Sequence, residues 1–211
     1  MSSGPSFTPV YMYPDDPARR ARRRRITIAL ALAVLLAAFI VTRSTTTKPS
    51  AMPRAAVLVR EAQNAYADGD YATARTRLTQ AQRLDPRNPS AHFYLGLIMQ
   101  IVDNNAAGAE AQYREAITEK PQFARALFNL GVLRAKAGAT AEALDLYRRA
   151  VAADDRLAAA HFNLGLLLRA GDPNSQEAVS ELQRAVVLDP SLAKRIPDDT
   201  TTTTSTTVNR R

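Results

Sequence analysis

Cysteine and tryptophan are absent from the 211 residues, and only eight glycines are present. A chain without cysteine forms no disulfide and offers no thiolate to a metal ion. Sparse glycine combined with abundant alanine and leucine favours helices over sheets, because alanine and leucine have high helix propensity. The sequence therefore predicts an all-α protein without disulfides or cysteine-ligated metal sites.

Recognisable catalytic motifs are also missing. No Ser/His/Asp arrangement, glycine-rich phosphate loop or paired-carboxylate motif stands out, and His92 and His161 are the only histidines. The two histidines occupy the same place in two different copies of a repeated motif, so we interpret them as half-buried packing residues rather than as ligands. We expect no enzymatic activity, no cofactor and no metal site.

The positive charge is concentrated at one end of the chain. The formal net charge is +8, and residues 1–25 alone carry six arginines against two aspartates. Residues 55–192 carry 15 basic and 16 acidic groups, so this region is nearly neutral. A nucleic-acid partner requires a concentrated basic face on the folded domain, which this distribution does not provide. We expect no nucleic-acid partner.

An uncharged stretch of 17 residues, 26–42, follows the arginine-rich run at 19–25. A helix of that length is about 25 Å long, at the short end of what spans a bilayer core. The positive-inside rule then predicts a disordered basic arm (1–25) in the cytoplasm, a single transmembrane helix (26–42) and a flexible linker (43–54) outside the membrane. Cleavage of the segment as a signal peptide remains the alternative, although no convincing cleavage site follows it.

A six-residue motif recurs three times beyond the linker. It reads His-Phe-Tyr-Leu-Gly-Leu at 92–97, Leu-Phe-Asn-Leu-Gly-Val at 127–132 and His-Phe-Asn-Leu-Gly-Leu at 161–166, with its glycines 35 and 34 residues apart. A fixed period of this size indicates a stack of small helical units that share one core. Extending the motif in both directions gives four units: 55–88, 89–123, 124–157 and 158–192.

The units resemble the tetratricopeptide repeat family, which has a 34-residue period with Leu-Gly in the first helix and small or aromatic residues in the second. The third unit carries this pattern most fully, at Leu127, Leu130, Gly131, Ala143, Tyr147 and Ala150. The resemblance implies a right-handed α-solenoid of four stacked helix-turn-helix repeats. Glycine and alanine at these positions let paired helices approach closely, since larger side chains would overpack the contact.

The resemblance also implies a binding groove lined by the first helices of successive units. An apolar stripe with amide and cationic groups beside it would suit a peptide or protein ligand. The candidate groove residues are Phe93, Tyr94, Leu97, Arg125, Phe128, Asn129, Val132, Lys136, Phe162, Asn163, Leu166 and Arg169. The family's clamp for a C-terminal carboxylate requires lysine and asparagine where this chain has Val59 and Gln63, so that activity is not implied.

The C-terminal segment, 193–211, is rich in threonine and is predicted to be disordered. With at most a short stub of helix after the last unit, Val179 and Val186 would remain partly exposed. The leading hypothesis is a membrane-anchored scaffold for protein partners in cell-envelope assembly. The alternatives are self-association through the last unit, which would give a homo-oligomer, and an accessory role in an enzyme complex such as cytochrome maturation.

Overall fold

The computed structural model describes residues 54–197, and all regular secondary structure in that range is helical. The chain alternates between helices and turns of a few residues, and a short 3₁₀ helix ends the described part. The elements are α1 (Arg54–Asp68), α2 (Tyr71–Leu84), α3 (Pro89–Ile101), α4 (Ala106–Glu119), α5 (Ala124–Lys136), α6 (Thr140–Ala153), α7 (Ala158–Gly171), α8 (Gln176–Leu188) and the 3₁₀ helix Pro190–Arg195.

Consecutive helices pair into hairpins, and the hairpins stack. The closest pairs are α1 with α2, α3 with α4, α5 with α6, and α7 with α8, and each second helix also packs against the first helix of the next unit. The four first helices begin at Arg54, Pro89, Ala124 and Ala158, next to the starts predicted from the repeat. The predicted all-α stack of helix-turn-helix units is confirmed, while the handedness of its superhelix stays a prediction.

Local signals set where the helices begin and how the turns between them run. The Asp70 carboxylate accepts a hydrogen bond from Thr73 N at 3.0 Å and caps α2, and Asn88 caps α3 in the same way. Such caps satisfy N–H groups that have no partner inside the helix. In the turn before α4, Asn104 has a φ of 51°, a left-handed conformation that asparagine adopts more readily than most residues.

The buried apolar residues form a large cluster that runs from α1 into α7 and a smaller one at the end of the stack, made by Phe162, Leu182, Ala185 and Leu192. Within the motif, Gly96 lies against the Tyr113 ring, where an added β-carbon would be 2.6 Å from Cε1. Gly165 lies against Leu182, with 2.7 Å to Cγ. The leucine-glycine half of the motif is therefore a packing device that allows the two helices of a unit to touch.

Ion pairs join neighbouring units of the stack. Arg134 contacts Glu110 of the preceding unit at 3.2 Å and Glu142 of its own unit at 2.8 Å. Arg148 contacts Glu177 of the following unit at 3.0 Å. The Arg148–Glu177 pair links the second helices α6 and α8, whereas Arg134 links the first helix α5 to α4 and α6. Exposed or half-exposed ion pairs of this kind add modestly to stability.

The 3₁₀ helix covers the end of the last unit. Leu192 is 5% exposed and packs with Phe162, Leu182, Ala185 and the half-buried Ile196. Helical structure thus extends to Arg195 and includes the first three residues of the segment that begins at 193 and was expected to be disordered. Val179 remains 40% exposed and Val187 72% exposed on α8, because the short helix covers only one side of it.

The predicted arm (1–25), transmembrane helix (26–42), most of the linker (43–53) and most of the threonine-rich tail (198–211) lie outside the described residues. Between residues 54 and 197, no helix has the length and hydrophobicity needed to cross a membrane.

Candidate binding surface

Burial divides the twelve predicted groove residues into two groups. The aromatic and amide members lie inside the stack: the exposed fraction is 1% for Phe93, 0% for Phe128 and 0% for Asn129. Eight of the twelve are buried, namely Phe93, Tyr94, Leu97, Phe128, Asn129, Val132, Phe162 and Asn163. Their contribution to partner binding stays a prediction, and within the chain these side chains contact other parts of the core.

The phenylalanines connect the two helices of a unit and the start of the next unit. The Phe93 ring lies 6.0 Å from the Tyr113 ring and 5.0 Å from the Phe123 ring, centroid to centroid. Phe128 lies 5.9 Å from Tyr147 in the same way. Aromatic pairs at these distances add to the stability that the burial of each ring provides.

The remaining four predicted residues are accessible. Arg125, Leu166 and Arg169 are half-buried, and Lys136 is exposed. They lie on α5 and α7, on the side of the first helices that does not pack into the core. We call the accessible parts of Arg125, Lys136, Leu166 and Arg169 the first-helix surface.

Arginine side chains lie over two of the buried phenylalanines. The Arg125 guanidinium carbon is 5.7 Å from the Phe93 ring centroid, reaching from the third unit to the second. The Arg195 guanidinium carbon is also 5.7 Å from the Phe162 ring centroid. Phe93 and Phe162 occupy the same motif position, so the two stacks are equivalent. Arg195 is not among the predicted groove residues, because its region was expected to be disordered. The only signal for Arg195 in the sequence is its place just after the last unit.

Buried amides lie beneath this surface. Asn129 Nδ2 donates a hydrogen bond to the Arg125 carbonyl oxygen at 3.0 Å, and Asn129 Oδ1 has no hydrogen-bond partner within 54–197. At the equivalent place in the next unit, Asn163 approaches the Tyr147 hydroxyl. Burial raises the pKa of the Tyr147 phenol well above its usual range, and the Tyr147 hydroxyl has no hydrogen-bond partner within 54–197. Both amides therefore lie in the interior of the stack, since Asn129 and Asn163 are each 0% exposed.

The two histidines hold adjacent units together. His92 Nε2 donates to the Pro86 carbonyl oxygen at 2.8 Å, and His161 Nε2 donates to the Asp155 carbonyl oxygen at 3.0 Å. On the other side of the ring, His161 Nδ1 lies 2.5 Å from Glu181 Oε2. Each ring thus connects the end of one unit to the second helix of the next. Over residues 54–197, no three His, Asp or Glu side chains group as metal ligands would.

Comparisons with known proteins agree with this architecture. A sequence profile described as "Tetratricopeptide repeat" matches residues 59–99 and 102–158. A cellulose synthase operon protein C from Xanthomonas axonopodis pv. citri (strain 306) is 38% identical over 85 residues, which is 40% of this chain. The match covers 6% of that relative's length, so it concerns a small part of a much longer protein.

Several solved structures share the fold at low sequence identity. PilF of Pseudomonas aeruginosa aligns with a TM-score of 0.58 at 23% identity, covering 66% of this chain and 64% of that one. The crystal structure of MamA aligns with a TM-score of 0.54 at 21% identity, covering 69% of this chain and 84% of that one. YrrB, described as a TPR protein with an unusual peptide-binding site, aligns with a TM-score of 0.52 at 20% identity, over 69% and 77% of the two chains.

Four stacked helical hairpins, with a leucine-glycine contact in the later units, define a helical repeat protein of the kind that generally serves as a non-catalytic scaffold. The profile match shows tetratricopeptide repeats over residues 59–99 and 102–158, and the structural likenesses show the same fold.

Proposed function

We propose that this protein is a membrane-anchored scaffold that holds a peptide or protein partner on its first-helix surface, outside the membrane, during assembly of the cell envelope. The carrying observation is that Arg125, Lys136, Leu166 and Arg169 remain accessible on successive first helices while the rings beneath them form the core. A surface that is displayed along a rigid stack suits an extended or helical ligand.

Two similarities support parts of this proposal. YrrB, which shares the fold, is described as having a peptide-binding site. The relative from Xanthomonas is named as a product of a cellulose synthase operon, which favours a role at the cell envelope. Residues 26–42 would supply the anchor, since they form the longest uncharged stretch of the sequence.

Position-specific cross-linking in intact cells tests the proposed binding surface. A photoreactive phenylalanine analogue replaces either Leu166, on the first-helix surface, or Val187, which is 72% exposed on the second helix α8. We expect a discrete adduct from position 166 and none of that mass from position 187. Equal labelling from both positions, or no adduct from position 166, would contradict the proposal.

Self-association is the second candidate, because Val179 and Val187 leave an apolar part of α8 exposed at 40% and 72%. The same experiment separates it from partner binding. An adduct with twice the mass of the chain, formed from position 187 alone, would favour a homo-oligomer. That adduct would need to disappear when Val179 is replaced by glutamate.

The proposed topology has a separate test. External protease is added to cells stripped of any outer barrier, and an epitope placed after Arg211 is followed by immunoblotting. Loss of the epitope from intact cells supports repeats outside the membrane. Retention of the epitope until the cells are lysed would place the repeats in the cytoplasm and would contradict this part of the proposal.

A further inference from the structure

Charge is unequally divided between the two layers of helices in the second, third and fourth units. The first helices α3, α5 and α7 contain no aspartate or glutamate, although they carry Arg125, Arg134, Lys136 and Arg169. The second helices α4, α6 and α8 of the same units carry all seven helical carboxylates. The two faces of the stack therefore differ in sign, and the first-helix surface is the positive one.

Two arginines on this side have no carboxylate partner. Arg134 is neutralised by Glu110 and Glu142, whereas neither Arg125 nor Arg195 forms an ion pair with any residue between 54 and 197. Each guanidinium instead lies 5.7 Å from a phenylalanine centroid. A guanidinium that stacks on a ring keeps its N–H donors at the edge free for an outside acceptor, and the ring limits its motion.

We propose that the first-helix surface selects an acidic polypeptide segment, with the Arg125–Phe93 and Arg195–Phe162 stacks as its two anchoring points. This inference rests on the proposed function and adds the chemistry of the partner to it. Carboxylate side chains of the partner pair with the two guanidinium groups, which present N–H donors in the geometry that carboxylates accept. The C-terminal 3₁₀ helix thereby becomes part of the binding surface.

The distance between the two anchoring points predicts the length of the partner segment that joins them. Packed helices lie about 10 Å apart, so α3 and α7, with α5 between them, hold the two stacks roughly 20 Å apart. An extended chain covers that distance in about six residues. The expected ligand therefore carries two acidic groups separated by about six residues, and it needs no free C-terminal carboxylate, since the residues of that clamp are replaced by Val59 and Gln63.

The test uses the full chain in detergent micelles and fluorescein-labelled Gly-Ser peptides that contain two Glu-Glu pairs six residues apart. Fluorescence anisotropy measures affinity, and a diazirine in each peptide allows adducts to be mapped by mass spectrometry, which separates the repeats from the basic arm. Peptides with glutamine in place of glutamate, and with pairs two residues apart, are the ligand controls. We expect adducts on α3, α5 and α7 only with the six-residue spacing.

Variants then test the two anchors. Arg125→Gln and Arg195→Gln are each expected to weaken binding about fivefold and the double variant about 25-fold, because distant contacts add. Arg83→Gln, which removes from the second helix α2 an exposed charge that forms no ion pair within 54–197, is the matched control and should change affinity by less than about twofold. Arg125→Lys keeps the positive charge but loses the planar set of N–H donors. Its affinity should therefore lie between that of Arg125→Gln and that of the unsubstituted protein.

Several outcomes would overturn the inference. Equal losses in Arg83→Gln and Arg125→Gln would show a general charge effect, and adducts confined to residues 19–25 would assign binding to the arm. Binding of phosphatidylglycerol vesicles that depends on Arg125 and Arg195, without binding of the peptides, would identify a lipid surface as the occupant. If cross-linking from position 166 captures a partner that binds equally well to Arg125→Gln with Arg195→Gln, the proposed function stands and this inference falls.

Discussion

Gly131 of α5 and the ring of Tyr147 of α6 touch so closely that a β-carbon on the glycine would lie 2.7 Å from Cε1 of the tyrosine. Tyr147 is fully buried, and its ring also packs against Phe128. The tyrosine ring therefore cannot move away from the glycine. This contact fixes the separation of the two helices in the third unit, and Gly96 with Tyr113 repeats it in the second.

Gly131→Ala should destabilise the repeat region by about 1–3 kcal/mol, because the added methyl group overpacks the helix contact. The urea-unfolding midpoint, followed by far-ultraviolet circular dichroism, measures the change. Gly171→Ala is the control, since Gly171 ends α7 with nothing within 4 Å of an added β-carbon. Equal effects of the two substitutions would mean that the contact with Tyr147 does not limit the packing.

Phe128→Ala should lower the free energy of unfolding by about 3–5 kcal/mol, since the ring is completely buried and its removal leaves a cavity. Val187→Ala, at a position that is 72% exposed, should change it by less than about 0.5 kcal/mol. The same unfolding experiment measures both. A fully stable Phe128→Ala variant with impaired partner binding would instead assign the ring a direct role in recognition, as the sequence pattern predicts.

Acid should weaken the link between the third and fourth units through Glu177. A hydrogen bond and the charge of Arg148 lower the pKa of the Glu177 carboxyl group below its ordinary value. Because the folded-state pKa is the lower one, the stabilisation is present above the ordinary pKa of glutamate, and it is lost as the pH falls through the lowered value. The pair lies at the surface, so its contribution is roughly 0.2–1 kcal/mol.

Titration of the Glu177 side chain by nuclear magnetic resonance checks this assignment. In Arg148→Gln, the titration midpoint of Glu177 should rise towards the ordinary value of glutamate. High salt should also raise this midpoint in the unsubstituted protein. A midpoint that is unchanged by Arg148→Gln would show that Arg148 does not lower the pKa of Glu177.

Leu192→Ala should loosen the 3₁₀ helix from Phe162, with a loss of about 2 kcal/mol from the last unit. Hydrogen exchange is the appropriate measurement, because a stack of repeats can open at one end while the rest stays folded. We expect faster exchange in α7 and α8 and unchanged exchange in α1 to α4. Uniform acceleration along the whole stack would show that the units unfold together.

Much of the fold was predictable because the signals are local and repeated. The motif at 127–132 recurs at a fixed period, so it predicts both the helices and their pairing. The close helix contact at Gly131 can likewise be predicted from the motif alone. The role of the aromatic residues was harder to predict. The resemblance to tetratricopeptide repeats places Phe128 and Asn129 in a binding groove. In the structure both side chains are fully buried, because neighbouring helices pack over them.

The sequence by itself determined the repeat, the units and the close helix contacts, because period and residue size are properties of the chain alone. Only the tertiary structure decided which of the predicted groove residues stay accessible, since burial depends on what the next unit places over each side chain. The tertiary structure also decided that Arg195 stacks on Phe162, which lies some 30 residues earlier in the chain. Arg125 stacks on Phe93 in the same way. A contact between units has no signature in the spacing of either residue.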